Sequence, residues 1–169
     1  MTHLPAAPAS MSHGGVTVVF SRITGGDEAR GFVPGYHFKI FKDQSEEVGH
    51  LNFRVGDTEH VRLAAGHIGF EVAKRHRGNR YATKACIAAA SWISKVSGTV
   101  LITVDPDNLP SILTIERIGA TFLDEVDVPP NDPHFLRGSV RKRRYRWEPT
   151  KREQAGATNR LPAEESKPS

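Results

Sequence analysis

The order of hydrophobic patterns along the 169-residue chain predicts an α/β protein of the α+β type: a mixed, largely antiparallel sheet with helices packed on it. Three observations carry this. Strand-like segments rich in β-branched and aromatic residues fill the first half, helical spacing enters only at Asn79, and two more strand-like segments close the pattern. Strands that precede the helices, instead of alternating with them throughout, argue against a doubly wound nucleotide fold.

The first strand is read in "VTVVFSRI", residues 16 to 23, which is β-branched and bounded by "TGGD". "YHFKIFK", residues 36 to 42, sets Tyr36, Phe38, Ile40 and Lys42 against His37, Lys39 and Phe41, the alternation of a half-buried strand. "EEVGHLNFRVGD" supplies a third strand and "GHIGFEVA" a fourth. Between Asn79 and Val96 the period becomes three and four, so Ala82, Ala85, Ala89, Trp92 and Val96 line one buried helical face. "TVLITV", residues 99 to 104, is a continuous apolar run, as for a strand covered on both sides. "DPDNLPSILTIERIGA" has helix-start signals in Asn108 and Pro110, an Ile112, Ile115, Ile118 series and a stop at Gly119. "TFLDEVDV" and "VRKRRYRW" end the pattern as two strands.

Residues 1–14 are small and Pro-containing and read as a disordered tail; residues 150–169 are polar and without period and read as another. The folded domain is expected over 15–149. No apolar run approaches the length that crosses a bilayer, so no membrane span is expected. The opening "MTHLPAAPAS" lacks the pattern of a secretory signal, and the one cysteine, Cys86, cannot form an internal disulfide; both suit a cytoplasmic protein. Cys86 lies within the helical stretch and reads as a small core residue. The histidines lack metal-ligand spacing, so no metal is expected. A net charge of +4 and a pI near 9.4 favour anionic partners.

The basic charge gathers in two places. One is the loop inside "EVAKRHRGNRYATKACI", residues 71 to 87, where a strand runs directly into a helix. Unpaired N–H groups and the dipole at a helix start suit phosphate, and Arg75, Arg77 and Arg80 would add guanidinium groups. The plain alternative is a solvated strand-to-helix turn. The other cluster, "RGSVRKRRYRW" (137 to 147), puts Arg141, Arg143, Tyr145 and Trp147 on one strand face. Phosphate contacts plus stacking would make it a nucleic-acid-binding module, while aromatics turned into the sheet and charges paired with Asp124, Glu125 and Asp127 would make it structural.

The stretch from Gly66 to Phe122 resembles the GNAT superfamily, the acetyl-CoA-dependent N-acetyltransferases. The family's phosphate loop, Gln/Arg-x-x-Gly-x-Gly/Ala, is matched by "RGNRYA", with Arg77 first and Ala82 last; "YATKA" follows, and "NLPSILTIERIGATF" resembles the family's Asn-x-x-Ser/Ala element. The resemblance implies transfer of an acetyl group from acetyl-CoA, as co-substrate, to a primary amine by direct attack in a ternary complex. It implies that Phe70 and Val72 pair with the pantetheine arm, with an amide near Val72 facing the oxyanion. Arg77, Gly78, Asn79, Arg80, Tyr81, Ala82 and Thr83 would hold the diphosphate, and Asn108 and Ser111 would complete the cofactor site at the second helix.

Three departures from the family accompany the likeness. Arg80 stands where the loop usually has glycine. Ile115 stands where a tyrosine often protonates the departing thiolate. Only Thr24 to Gly35 separates the first two strands, where the family places two helices, so the acceptor pocket would be open or completed by a second subunit as a homodimer. His67 and Glu71 share one strand face by alternation and are the candidates for taking the amine's proton; the plainer roles are a packing histidine and a partner for Arg77 or Lys74. A fold that binds acyl-CoA without transfer is the remaining reading.

Overall fold

The computed structural model describes residues 3–149. Eight strands form one sheet in the order β1-β2-β3-β4-β5-β6-β8-β7. They are β1 (Ser10–His13), β2 (Val16–Thr24), β3 (Gly35–Lys42), β4 (Glu46–Arg54), β5 (Ile68–Val72), β6 (Val100–Val104), β7 (Thr121–Asp127) and β8 (Arg141–Trp147). Neighbouring strands run antiparallel except β5 and β6, which are joined through helix α1 (Tyr81–Ser97). That pair must be parallel because a helix crossover returns the chain to the same end of the sheet. Helix α2 (Leu109–Arg117) links β6 to β7, and the short α3 (Pro133–Leu136) precedes β8.

The alternation read in residues 36 to 42 decides which face is covered. Tyr36, Phe38 and Ile40, with Leu51 and Phe53 from β4, are at most 1% exposed. Trp92 of α1 stands edge-on to the rings of Tyr36, Phe38 and Phe53 at 4.7, 5.6 and 5.6 Å between centroids. Edge-to-face pairs add about 0.5–1.5 kcal/mol each beyond the area they bury. Ala85, Ala89 and Ile93 complete the buried stripe of α1, and Cys86 lies fully buried beside them. Burial pushes the Cys86 thiol up to about 12. The opposite face of β3 and β4 presents His37, Lys39, His50, Asn52 and Arg54, all exposed or half-buried.

Within the stretch 1–14, residues 4–13 differ from the loose tail that their composition suggests. Ser10–His13 pairs with β2 in register Ser10↔Val19 to His13↔Val16. Leu4, Ala7 and Met11 pack on the core, the Ala9 carbonyl accepts from Phe20 N at 3.0 Å, and Tyr36 Oη donates to the Pro5 carbonyl. Small residues and prolines hid the few apolar contacts that hold this segment. The tail expected over 150–169 lies outside the described residues. Three short helical turns, Glu28–Arg30, Val61–Ala65 and Pro133–Leu136, also form in segments without helical spacing.

Candidate functional site

The site begins where two strands part. β5 and β6 share one paired register position, Ile68↔Ile102, whereas β4 and β5 share five. Below that point the strands are pinned by His67. Its backbone N–H donates to Leu101 O at 2.7 Å, its Nδ1 accepts from Leu101 N at 2.9 Å, and its Nε2 donates to Gly56 O at 3.0 Å. Gly66, at φ 65°, lets the backbones approach this closely: a Cβ there would stand 2.9 Å from Thr103 N. Beyond Ile68 the edge of β5 facing β6 is unpaired. Arg54 N donates to His67 O and Ala73 N to Val48 O, so the odd positions of β5 bond β4. By alternation Phe70 and Val72 turn their N–H and C=O groups into the opening. Val72 O accepts there from Arg77 Nε at 3.1 Å.

The opening leads to the start of α1. A turn at Lys74–His76 reverses the chain, Asn79 Nδ2 braces it on His76 O at 3.0 Å, and Gly78 at φ 89° has empty space where a Cβ would be. Arg80 is the N-cap residue and adopts φ 60°, ψ 28°. This left-handed conformation costs a non-glycine residue about 1–2 kcal/mol, which accounts for glycine being usual at the position. No side chain caps the helix, and the first backbone bond into it runs from Lys84 N to Arg80 O at 3.0 Å. The amides of Tyr81, Ala82 and Thr83 precede that bond and belong to the unsatisfied first turn. In the same turn Thr83 Oγ1 is buried without a hydrogen-bond partner among the described residues.

The residues named from sequence separate into groups. Phe70, Val72 and the run Arg77 to Thr83 lie together along the opening and the start of α1. Asn108 caps α2, its Oδ1 accepting from Ser111 N at 3.3 Å, so these two form a local helix start. Ile115 is 1% exposed and belongs to the core. His67 does not stand free for proton transfer: both ring nitrogens are engaged by backbone groups, and burial lowers its pKa, so it is a neutral bridge between β5, β6 and the loop after β4. Glu71 is exposed on β5, directly across from His50. The two candidates for the amine's proton therefore do not form a working pair.

Sequence reasoning missed a group on the open face of the sheet. The loop between β2 and β3 folds back on itself through a bridge at Asp27↔Phe32 and is held by Thr58 Oγ1 donating to Gly31 O at 2.6 Å. With the ends of β3 and β4 it encloses a cavity of about 230 Å³ lined by Thr24, Phe32, His37, Asn52, Arg54 and His60. His60 Nδ1 lies 2.6 Å from Oδ2 of Asp132, a buried carboxylate whose other oxygen accepts from His134 N at 2.8 Å. Burial, with Lys142 and Arg137 nearby, drives His134 down to about 4, so it stays neutral beside this pair. No hydrogen bond engages His60 Nε2 among the described residues. His60 and Asp132 are separated by 72 positions, so no local motif announces them.

Comparison with protein families matches residues 7–121 to the acetyltransferase (GNAT) domain. The chain belongs to the GNAT acetyltransferase family. Comparison with curated proteins gives no match. Among solved structures, the GNAT fold is shared with the microcin C7 self-immunity acetyltransferase MccE, in complex with acetyl-CoA and AMP, at a TM-score of 0.52 and 19% identity. That alignment covers 68% of this chain and 61% of MccE. An acetyltransferase of the GNAT family from Bacillus anthracis aligns at 0.53 and 21% identity over 68% of this chain and 66% of its own. RimJ from Mycobacterium smegmatis, in complex with a CoA disulfide, aligns at 0.53 and 19% identity over 73% of this chain and 60% of its own. The chain thus spans less than two thirds of the length of these relatives.

Acetyl-CoA, the co-substrate of GNAT enzymes, suits what this chain presents: an unpaired strand edge, an uncapped helix start and a buried hydroxyl without a partner in that first turn. The basic strand β8 takes the structural role. Arg144 makes two 2.8 Å bonds to Asp124, Arg141 reaches Glu125 and Asp127 at 2.9 Å, and Arg143 lies 4.3 Å over the Phe122 ring and pairs with Glu125. Tyr145 and Trp147 are at most 1% exposed, so they offer no face for bases to stack on. Among the described residues no helix is long and apolar enough to cross a membrane.

Two predictions follow from the strained cap and the neutral bridge. In urea unfolding, Arg80→Gly should be more stable than Arg80→Ala by about 1 kcal/mol, because only glycine escapes the left-handed penalty; equal midpoints would contradict the assignment. His67 is depressed below its unfolded value, so its contribution to stability is complete above about pH 6.5 and is lost as pH falls toward and through the folded value. His67→Asn keeps an acceptor for Leu101 N–H without titrating. Its stability should decline less steeply than the parent's below that pH.

Proposed function

We propose that the protein transfers an acetyl group from acetyl-CoA to a primary amine by direct attack within a ternary complex. The observation that carries this reading is the parting of β5 from β6 beyond Ile68, which leaves the Phe70–Val72 edge open and leads straight to the uncapped start of α1. The pantetheine arm would lie along that edge as an added strand. The diphosphate would sit on the amides from Gly78 to Thr83, with Arg77 and Arg80 beside it. An arm entering from α1 ends at the closed end of the opening, so of the two inward amides that of Phe70 would meet the thioester oxygen and that of Val72 the arm above it. The amine's lone pair forms the C–N bond as the C–S bond breaks. The sulfur leaves as thiolate and takes its proton from water, because Ile115 offers none.

The amine must give up a proton. His60, held through Nδ1 by the buried carboxylate of Asp132 and lining the cavity with its other edge, suits that role better than His67, whose nitrogens are both engaged. The residues 15–149 and the strand that precedes them would form one transferase domain. Nucleic-acid binding through β8 loses support because its charges are paired within the sheet.

Acetyl-CoA should raise the melting temperature of the protein, and Val72→Pro should abolish the rise. Proline there removes an N–H that faces the opening and no bond to β4, so the sheet should survive. An unaltered thermal shift in Val72→Pro would place the arm elsewhere. With an amine panel, thiol release should separate transfer from mere acyl-CoA binding. His60→Gln should lower kcat by about 100-fold or more while leaving the acetyl-CoA affinity in place; an unchanged kcat would remove His60 from the reaction.

A further inference from the structure

The half-buried arginines among the described residues are Arg54, Arg143 and Arg144. Arg143 faces Glu125 and Arg144 faces Asp124. Arg54 has no carboxylate partner among the described residues; its Nη1 donates to two carbonyls, Ala65 O at 3.3 Å and Gly66 O at 3.5 Å. Burial alone pulls its pKa down. A guanidinium withdrawn from water without a counter-charge is costly, and the cost is recovered when an anion pairs with it. The fork of donors on such a group matches a carboxylate edge.

Its position says what the anion would belong to. Arg54 lines the cavity on the open face of the sheet with His37 and Asn52. The paired register runs His37↔Asn52 and Asn52↔Gly69, so these three residues form one row across β3, β4 and β5 that ends at the parting of the strands. Gly69 has no side chain to interrupt the row, and a Cβ on it would stand 3.5 Å from Arg54 Nη1 and 3.9 Å from Nη2. The guanidinium therefore lies over the bare backbone of β5, one residue from the Phe70 amide assigned to the thioester oxygen. Beside it in the cavity, His37 Nε2 lies 2.9 Å from Thr24 Oγ1, and burial and Arg22 lower the pKa of His37. Among the described residues no carboxylate lines the cavity beside Arg54, so a negative charge is what its guanidinium lacks there.

We propose that this cavity binds an acceptor that carries a carboxylate a few bonds from its amine, an amino acid in chemical class, and that Arg54 holds the carboxylate. The amine end then points past Gly69 to the strand edge, and the carboxylate fixes which amine is presented. The acceptor role rests on the acetyl-transfer reading; the carboxylate site itself does not, so the two can fail separately.

The test is calorimetric binding of L-alanine, L-phenylalanine and L-glutamate, each against its α-carboxamide, to the protein with coenzyme A present and absent. The acid of at least one pair should bind roughly tenfold or more tightly than its amide, the size expected for a charge-assisted bidentate pair. In Arg54→Gln that preference should vanish while acetyl-CoA affinity stays the same. If that variant does not fold, Arg54→Lys serves: it keeps the charge and loses the fork, and should lose most of the preference. Acid and amide binding alike, neither binding, or a preference that survives in the variant would overturn the proposal. Inorganic phosphate competing more strongly than acetate would overturn the carboxylate assignment. A protein that prefers the acids and ignores acetyl-CoA would keep the anion site and lose the transferase reading; the reverse would keep transfer and lose the site.

Discussion

The proposed chemistry of this molecule depends on two parallel strands that touch at one register position and then separate. Parallel neighbours in a sheet ordinarily bond along their length, and leaving N–H and C=O groups unpaired inside a protein is unfavourable. The separation is stable here because its closed end is fastened so firmly. His67 contributes a backbone amide and both ring nitrogens to that fastening, and Gly66 removes the atom that would hold the two backbones apart. In the proposed reading, the cost of the open edge is offset by a ligand that completes the sheet.

The two ends of that edge are served by different kinds of group. Toward α1 the chain offers backbone amides and exposed arginines, which suit phosphate and demand little shape. Toward the closed end it offers a half-enclosed cavity with a lone guanidinium and a histidine held by a buried aspartate, which suit a small molecule of defined charge. The short loop between β2 and β3 helps to build that cavity itself, by folding onto the loop that follows β4. The cavity proposed for the acceptor is thus lined by residues of one chain.

Much of the fold was legible because strand alternation and helical spacing are read over many residues at once. Tyr36, Phe38 and Ile40 against His37 and Lys39, and the alanine stripe closed by Trp92, fell on the faces that their spacing implied. The loop proposed to hold phosphate could be named from the sequence because its pattern lies on consecutive residues, Arg77 to Ala82. The first strand was not legible, since its few contacts come from Leu4, Ala7 and Met11 scattered among small residues. Nor was the cavity proposed for the acceptor. His60 meets Asp132, and Arg54 meets Gly69, only through sheet register and loop packing, and no spacing along the chain encodes either meeting. His67 illustrates the opposite error: alternation placed its side chain correctly on a face but could not reveal that neighbouring backbone would consume both nitrogens.

The burial of Cys86 against the sheet has a practical corollary. It is the only cysteine in the chain, it is fully enclosed, and its sulfhydryl ionises only near the alkaline limit. The folded protein therefore presents no nucleophilic sulfur of its own to an aromatic disulfide reagent or a maleimide dye. Colour or fluorescence above an enzyme-free blank would then report coenzyme A released in the proposed transfer, and an enzyme-only blank that develops colour would signal unfolding.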